Sequence, residues 1–170
     1  MSGGGHIIMN DKILYNFEDF TESNYRNIIQ KTKKQYKFIS YDEIKDANEI
    51  EDCKKVLWRH DVDVSMHQAF KLAKIENEEN VKSTFFIQLS CPHYNVFEDE
   101  IKRLIFSILD LDHQIGVHFD PTIYDINSDE DFEKYLSFEK EVLEKLFNTS
   151  IKTFSFHNPL EEHLNLGIFE

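Results

Sequence analysis

The chain has 170 residues, of which 41% are hydrophobic and 14% aromatic, enough for one folded domain with a core of its own rather than a disordered segment. Lys and Arg number 19 against 32 Asp and Glu, a net charge of −13 that argues against nucleic acid or an anionic membrane surface as partner, since both demand a basic face. No apolar run approaches the roughly 20 residues of a spanning helix, and the first residues lack the apolar stretch of a signal peptide, so a cytoplasmic protein is expected.

Glycines cluster between Ser2 and Gly5, and residues 1–10 read as a flexible leader ahead of a single domain over 11–170. Thr21 is placed to cap a helix in which Tyr25, Ile28, Ile29, Thr32 and Tyr36 repeat at helical spacing. Phe38 to Glu43 reads as a connector. Lys55 to His60 is the first expected strand, followed by a helix capped by Ser65, with Gln68 completing a capping box and Met66, Ala69, Phe70 and Ala73 facing inward. Val81 to Leu89 forms the second strand. Phe97, Ile101, Leu104, Ile105 and Ile108 mark a helix leading to a strand over Gln114 to Phe119. Ser128 opens the last helix, with Phe132, Tyr135, Leu136, Val142, Leu143 and Leu146 as its apolar stripe, and Ile151 to Phe156 is the fourth strand. The charged runs Glu76 to Asn80 and Asp129 to Glu133 read as solvated helix ends. Strands joined by helical crossovers imply an α/β fold of parallel βα repeats, an open sheet or a barrel, with its ligand site beyond the carboxyl ends of the strands. The last strand would then be an unpaired edge, covered by a second copy of the chain or by a missing C-terminal half.

The polar residues at those strand ends carry the functional argument. Arg59-His60-Asp61-Val62-Asp63 follows the apolar run Val56-Leu57-Trp58, so two carboxylates and an imidazole fall where a buried strand emerges. Carboxylates spaced i, i+2 repel, and a divalent cation or a raised pKa relieves them. The plain alternative is a helix cap beside an Arg59 ion pair. Later strands add His118 and Asp120, then His157, while the second contributes little beyond Ser90 and His93. One carboxylate with two imidazoles suits zinc or another first-row divalent metal, which lowers the pKa of its water to about 7. His113 reads as a structural hydrogen-bonder and His67 as a surface group. Cys53 and Cys91 lack the spacing of a zinc site and read as reduced thiols.

Together, Arg59-His60-Asp61-Val62-Asp63, His113-Gln114-Ile115-Gly116-Val117-His118 and Phe156-His157-Asn158-Pro159 resemble the motifs of the NodB-homology polysaccharide deacetylases. The resemblance implies Asp61 as general base, Asp63 and His118 as metal ligands, and a partial (β/α) barrel, with about four of the seven or eight βα units of the family barrel present here. Thr122 stands where many relatives carry a second ligating histidine, so His157 is the preferred third ligand, with Asp120 and His67 as alternatives. His60 replaces a common aromatic and is expected beside the metal, base or substrate, while Asp120 and Pro159 are expected substrate contacts. The implied activity is hydrolysis of a carbon–nitrogen bond, removing an acyl group, N-acetyl first of all, from an amino sugar or glycan precursor of surface-polysaccharide synthesis. The rival is a fragmentary or catalytically inactive domain that keeps the metal or carbohydrate site for binding.

Overall fold

The computed structural model describes residues 20–44 and 54–158, and within them the chain alternates strands and helices. Helix α1 (Glu22–Lys33) is capped by Thr21, whose hydroxyl accepts from the Asn24 N–H. Strand β1 (Lys37–Ile39) and a short 3₁₀ turn follow, then β2 (Lys55–Leu57) and β3 (Arg59–Val62). Next come α2 (Met66–Glu78), β4 (Thr84–Ile87), α3 (Asp99–Asp110), β5 (Gln114–Phe119), α4 (Asp129–Phe147) and β6 (Phe154–Phe156). Ser65 and Ser128 cap α2 and α4 as their positions predict, each hydroxyl accepting a backbone N–H three residues on. No helix among the described residues is long and apolar enough to cross a membrane.

Strands β3, β4, β5 and β6 form one parallel sheet in chain order, curled into half a barrel. Sequential order leaves α2, α3 and α4 on a single face, where Met66, Ala73, Ile105, Ile108, Leu143 and Phe147 pack on Val62, Phe85, Ile87, Val117 and Phe119. Alternation along each strand sends the other residues to the concave face, among them Asp61, Phe86, Gly116, His118 and Ser155. Among the described residues, β6 and β3 form the two edges of this sheet.

Three sequence expectations need correction. The segment after α1 is a strand before it is a turn, because β1 pairs in parallel with β2, a long-range ladder that local pattern does not reveal. The expected strand from Lys55 to His60 breaks at Trp58 into pieces serving two sheets, and the second runs on to Val62. Asp61 therefore lies inside a strand, with only Asp63 beyond its end. Finally, the run from Glu76 is not wholly solvated. The Glu76 side chain is fully buried and bonded to His60, Tyr25 and Ser83, while Trp58 donates to the same Tyr25 hydroxyl.

Gly116 sits where the sheet admits no side chain. A Cβ there would lie 2.6 and 2.7 Å from the buried ring of Phe86 and 3.0 Å from the Thr153 carbonyl. Gly116→Ala is accordingly expected to cost about 1–3 kcal/mol, the usual range for overpacking a closed core, measurable by urea denaturation.

Candidate metal centre

Three side chains from three strands converge at the carboxyl end of the sheet. Asp63 follows β3 directly, His118 lies near the end of β5, and His157 follows β6. The residues Asp61-x-Asp63, Gly116-x-His118 and Ser155-x-His157 share one parity, so alternation turns the charged groups toward the same concave side. His118 Nε2 lies 2.9 Å from Asp63 Oδ1, His157 Nδ1 lies 3.2 Å from the same oxygen, and the two ring nitrogens are 3.2 Å apart.

That triangle has the dimensions of a metal ligand set. A cation about 2.0 Å from each of three tetrahedrally arranged ligand atoms keeps them about 3.3 Å apart. The donors also fit in kind, since two imidazoles and a carboxylate suit zinc and its first-row neighbours. Both ring nitrogens lie within hydrogen-bond reach of the Asp63 carboxylate, and a cation bound there would meet their lone pairs in place of an N–H. For His157 this also requires the Asn158 carboxamide, which places Nδ2 3.0 Å from Nε2, to turn so that its oxygen accepts from Nε2–H. Burial is graded across the site: the His118 side chain is 3% exposed and that of Asp63 47%, so the triangle is anchored on the sheet and open on the carboxylate side.

Behind the triangle, Ser155 links two of the expected site residues. Its hydroxyl lies 2.8 Å from His118 Nδ1 and 3.4 Å from Asp61 Oδ1. With His118 donating from Nδ1 to Ser155 and Ser155 donating to Asp61, the Nε2 lone pair is directed at the triangle, a common way to fix a ligating histidine. Asp61 is held on its other oxygen by Arg59, at 2.7 Å, and the guanidinium lies over the Phe86 ring 5.1 Å from its centroid. The ion pair of the plain alternative is thus present, but neither carboxylate caps α2, because Ser65 does that.

The loop after β4 sets the position of Asp63. Tyr94 Oη donates to the Val62 carbonyl at 2.8 Å and accepts from the Gln88 N–H at 3.0 Å, standing where the next rung between β3 and β4 would form. Burial pushes the Tyr94 hydroxyl far above its ordinary pKa, so it remains a donor. The Cys91 thiol donates to the Asp63 carbonyl at 3.3 Å. Strands β3 and β4 are thereby spread at the end where the ligand triangle lies.

Other expected site residues are elsewhere. His60 alternates to the helix side of β3, where Nε2 meets Glu76 at 2.5 Å and the ring stacks on Phe85, so it does not face the triangle. Asp120 accepts from the Thr122 N–H and hydroxyl at 2.9 and 2.6 Å, capping a 3₁₀ turn, and is not part of the ligand group. His67 pairs with Glu100 at the surface. His113 is buried, bonded to the Ala73 carbonyl and the Ser83 N–H, and desolvation lowers its pKa, so it is a neutral structural group. Pro159 and Cys53 lie outside the described residues, as does the leader. Sequence reading did not single out Ser155, although its i, i+2 relation to His157 is the signal that places it. Compared with known proteins, the chain matches no family model, no curated protein and no solved structure.

Proposed function

We propose that the chain is a divalent-cation-dependent hydrolase that removes an acyl group, N-acetyl first of all, from an amino sugar or related glycan precursor. The reading is carried by one observation: Asp63, His118 and His157 meet in a ligand-sized triangle while Asp61, the base implied by the resemblance to polysaccharide deacetylases, stands one serine behind it. A divalent cation bound there would polarise the acyl carbonyl and make a coordinated water acidic, with a pKa near 7.

Each protein group has a definite task. Asp63, His118 and His157 hold the cation, and Ser155 keeps His118 in the ligating tautomer. Asp61, oriented by Arg59 and Ser155, accepts the proton released as water oxygen bonds to the acyl carbon. The carbon–nitrogen bond then breaks as the nitrogen takes the proton that Asp61 removed from water, and the amine leaves with the carboxylic acid as the other product. A cleft of about 390 Å³ runs beside Asp61 and Asp63, with His60, Ser65 and Gln68 as polar lining and Val64 and Leu72 as apolar lining. Its size falls in the range of about 300–1,000 Å³ typical of small-ligand sites, and its mixed lining suits a sugar with both hydroxyl and C–H faces.

The test is to measure zinc content and acetate release from N-acetylated amino sugars for the wild-type chain and for Asp61→Asn. Expected is zinc uptake by both, with release slowed about 10²–10⁴-fold in the variant, the usual contribution of a positioned base. Zinc uptake without release from any such sugar would replace the hydrolase with a binding domain, and no zinc uptake at all would dismiss the site.

A further inference from the structure

Resting on the metal-centre reading above, we propose that Gln88 supplies a fourth protein ligand to the cation through its carboxamide oxygen. Two buried side-chain oxygens among the described residues have no hydrogen-bond partner, and one of them is Gln88 Oε1. The residue is 3% exposed. A buried carbonyl oxygen without a donor is costly, and a native fold retains one where something absent from the protein's own hydrogen bonds satisfies it.

The position of Gln88 identifies that something. Val62, Ile87 and Val117 are paired across β3, β4 and β5, so one step further along the same three strands come Asp63, Gln88 and His118. Phe85 and Ile87 pack into the helix-side core while Phe86 lies against Gly116 and under Arg59, and the same alternation continued one residue past the end of β4 would put Gln88 on the concave side with Phe86. The glutamine thus follows the strand that lies between those positioning Asp63 and His118. Its N–H is taken by the Tyr94 hydroxyl that spreads β3 from β4, which fixes the backbone from which the side chain projects. Carbonyl oxygen is a competent ligand for divalent cations, and with Gln88 the donor set becomes two nitrogens and two oxygens. A first-row divalent ion that takes five or six ligands would keep positions for the water and the acyl oxygen of the proposed reaction.

Zinc chloride titrations of the full chain, followed by calorimetry, test this with two variants, together with melting temperatures in EDTA. Gln88→Leu should weaken zinc binding by about tenfold or more, yet melt at the same or a higher temperature than wild type when ion-free, because it removes an unsatisfied oxygen. Gln88→Glu retains the oxygen, adds charge, and should bind zinc as tightly as wild type or more so. Unchanged zinc affinity in Gln88→Leu overturns the assignment while leaving the three-residue site intact. So does weakened binding in Gln88→Glu, or a lower ion-free melting temperature in Gln88→Leu, since that would mean the carboxamide is satisfied by the protein itself. Failure of the wild-type chain to bind zinc removes the metal centre and this ligand with it.

Discussion

His118→Ala is expected to lower zinc affinity by more than the ten- to hundredfold typical of losing a residue that merely supports a ligand. The imidazole is the buried vertex of the ligand triangle, 2.9 Å from Asp63 and 3.2 Å from His157, and it also connects that triangle to Asp61 through Ser155. Alanine removes the vertex and the connection together. Ser155→Ala keeps every ligand and removes only the group that orients His118, so its loss should fall within about 10- to 100-fold. Thermal melts provide a second readout. Saturation at about a hundred times the dissociation constant stabilises a fold by about 2.7 kcal/mol, so zinc should raise the melting temperature of the wild-type chain and leave that of His118→Ala unmoved. Equal zinc-induced shifts in the two proteins would refute the ligand assignment.

Glu76→Ala is expected to destabilise the fold by about 3–5 kcal/mol, the usual cost of removing one partner from a buried charged network. The carboxylate is bonded to His60 on β3, to Tyr25 on α1 and to Ser83 ahead of β4, and it lies beside the buried His113. Its loss would leave the Tyr25 and Ser83 hydroxyls and the His60 imidazole without their shared acceptor, loosening the contact of α1 with the sheet. Urea denaturation measures the loss, and Glu76→Gln, which retains an oxygen at the site, should lose less.

The same network gives stability a definite pH dependence. Burial alone would raise the pKa of Glu76, but hydrogen bonds from His60, Ser83 and Tyr25 outweigh it and hold the group below the ordinary value of 4.5. A depressed carboxylate stabilises the fold above its unfolded pKa, and that contribution is lost as pH falls through the lower, folded value. Glu139 acts in the opposite sense. Burial pushes it up to about 7 against the opposing hydrogen bond from Tyr124, so its contribution is present below 4.5 and lost as pH rises through about 7. Unfolding free energies across about pH 3–8 should show Glu76→Gln reducing the acid limb and Glu139→Gln flattening the decline toward neutrality.

The convergence of Asp63, His118 and His157 was legible in the sequence. His118 and His157 sit at the ends of apolar strands and Asp63 ends the polar stretch that follows Val56-Leu57-Trp58, and parallel βα repeats deliver strand ends to one side of a sheet whatever the details of packing. Helix starts were legible for a similar reason: a serine cap such as Ser65 or Ser128 acts within a few residues of itself.

Residues whose roles depend on a partner distant in sequence were not legible in this way. His60 and Asp61 are neighbours, yet strand parity sends one to the helix layer and the other to the concave face, and only pairing with β4 decides which. Glu76 and Glu139 sit in helices where charge usually means solvent, but the sheet and Tyr124 bury them. Gln88 is an ordinary polar residue after a strand until β3 and β5 flank it with Asp63 and His118. Apolar periodicity and capping are local and leave their mark in adjacent residues, whereas register, strand breaks such as Trp58 and the environment of a buried charge arise only when distant segments meet.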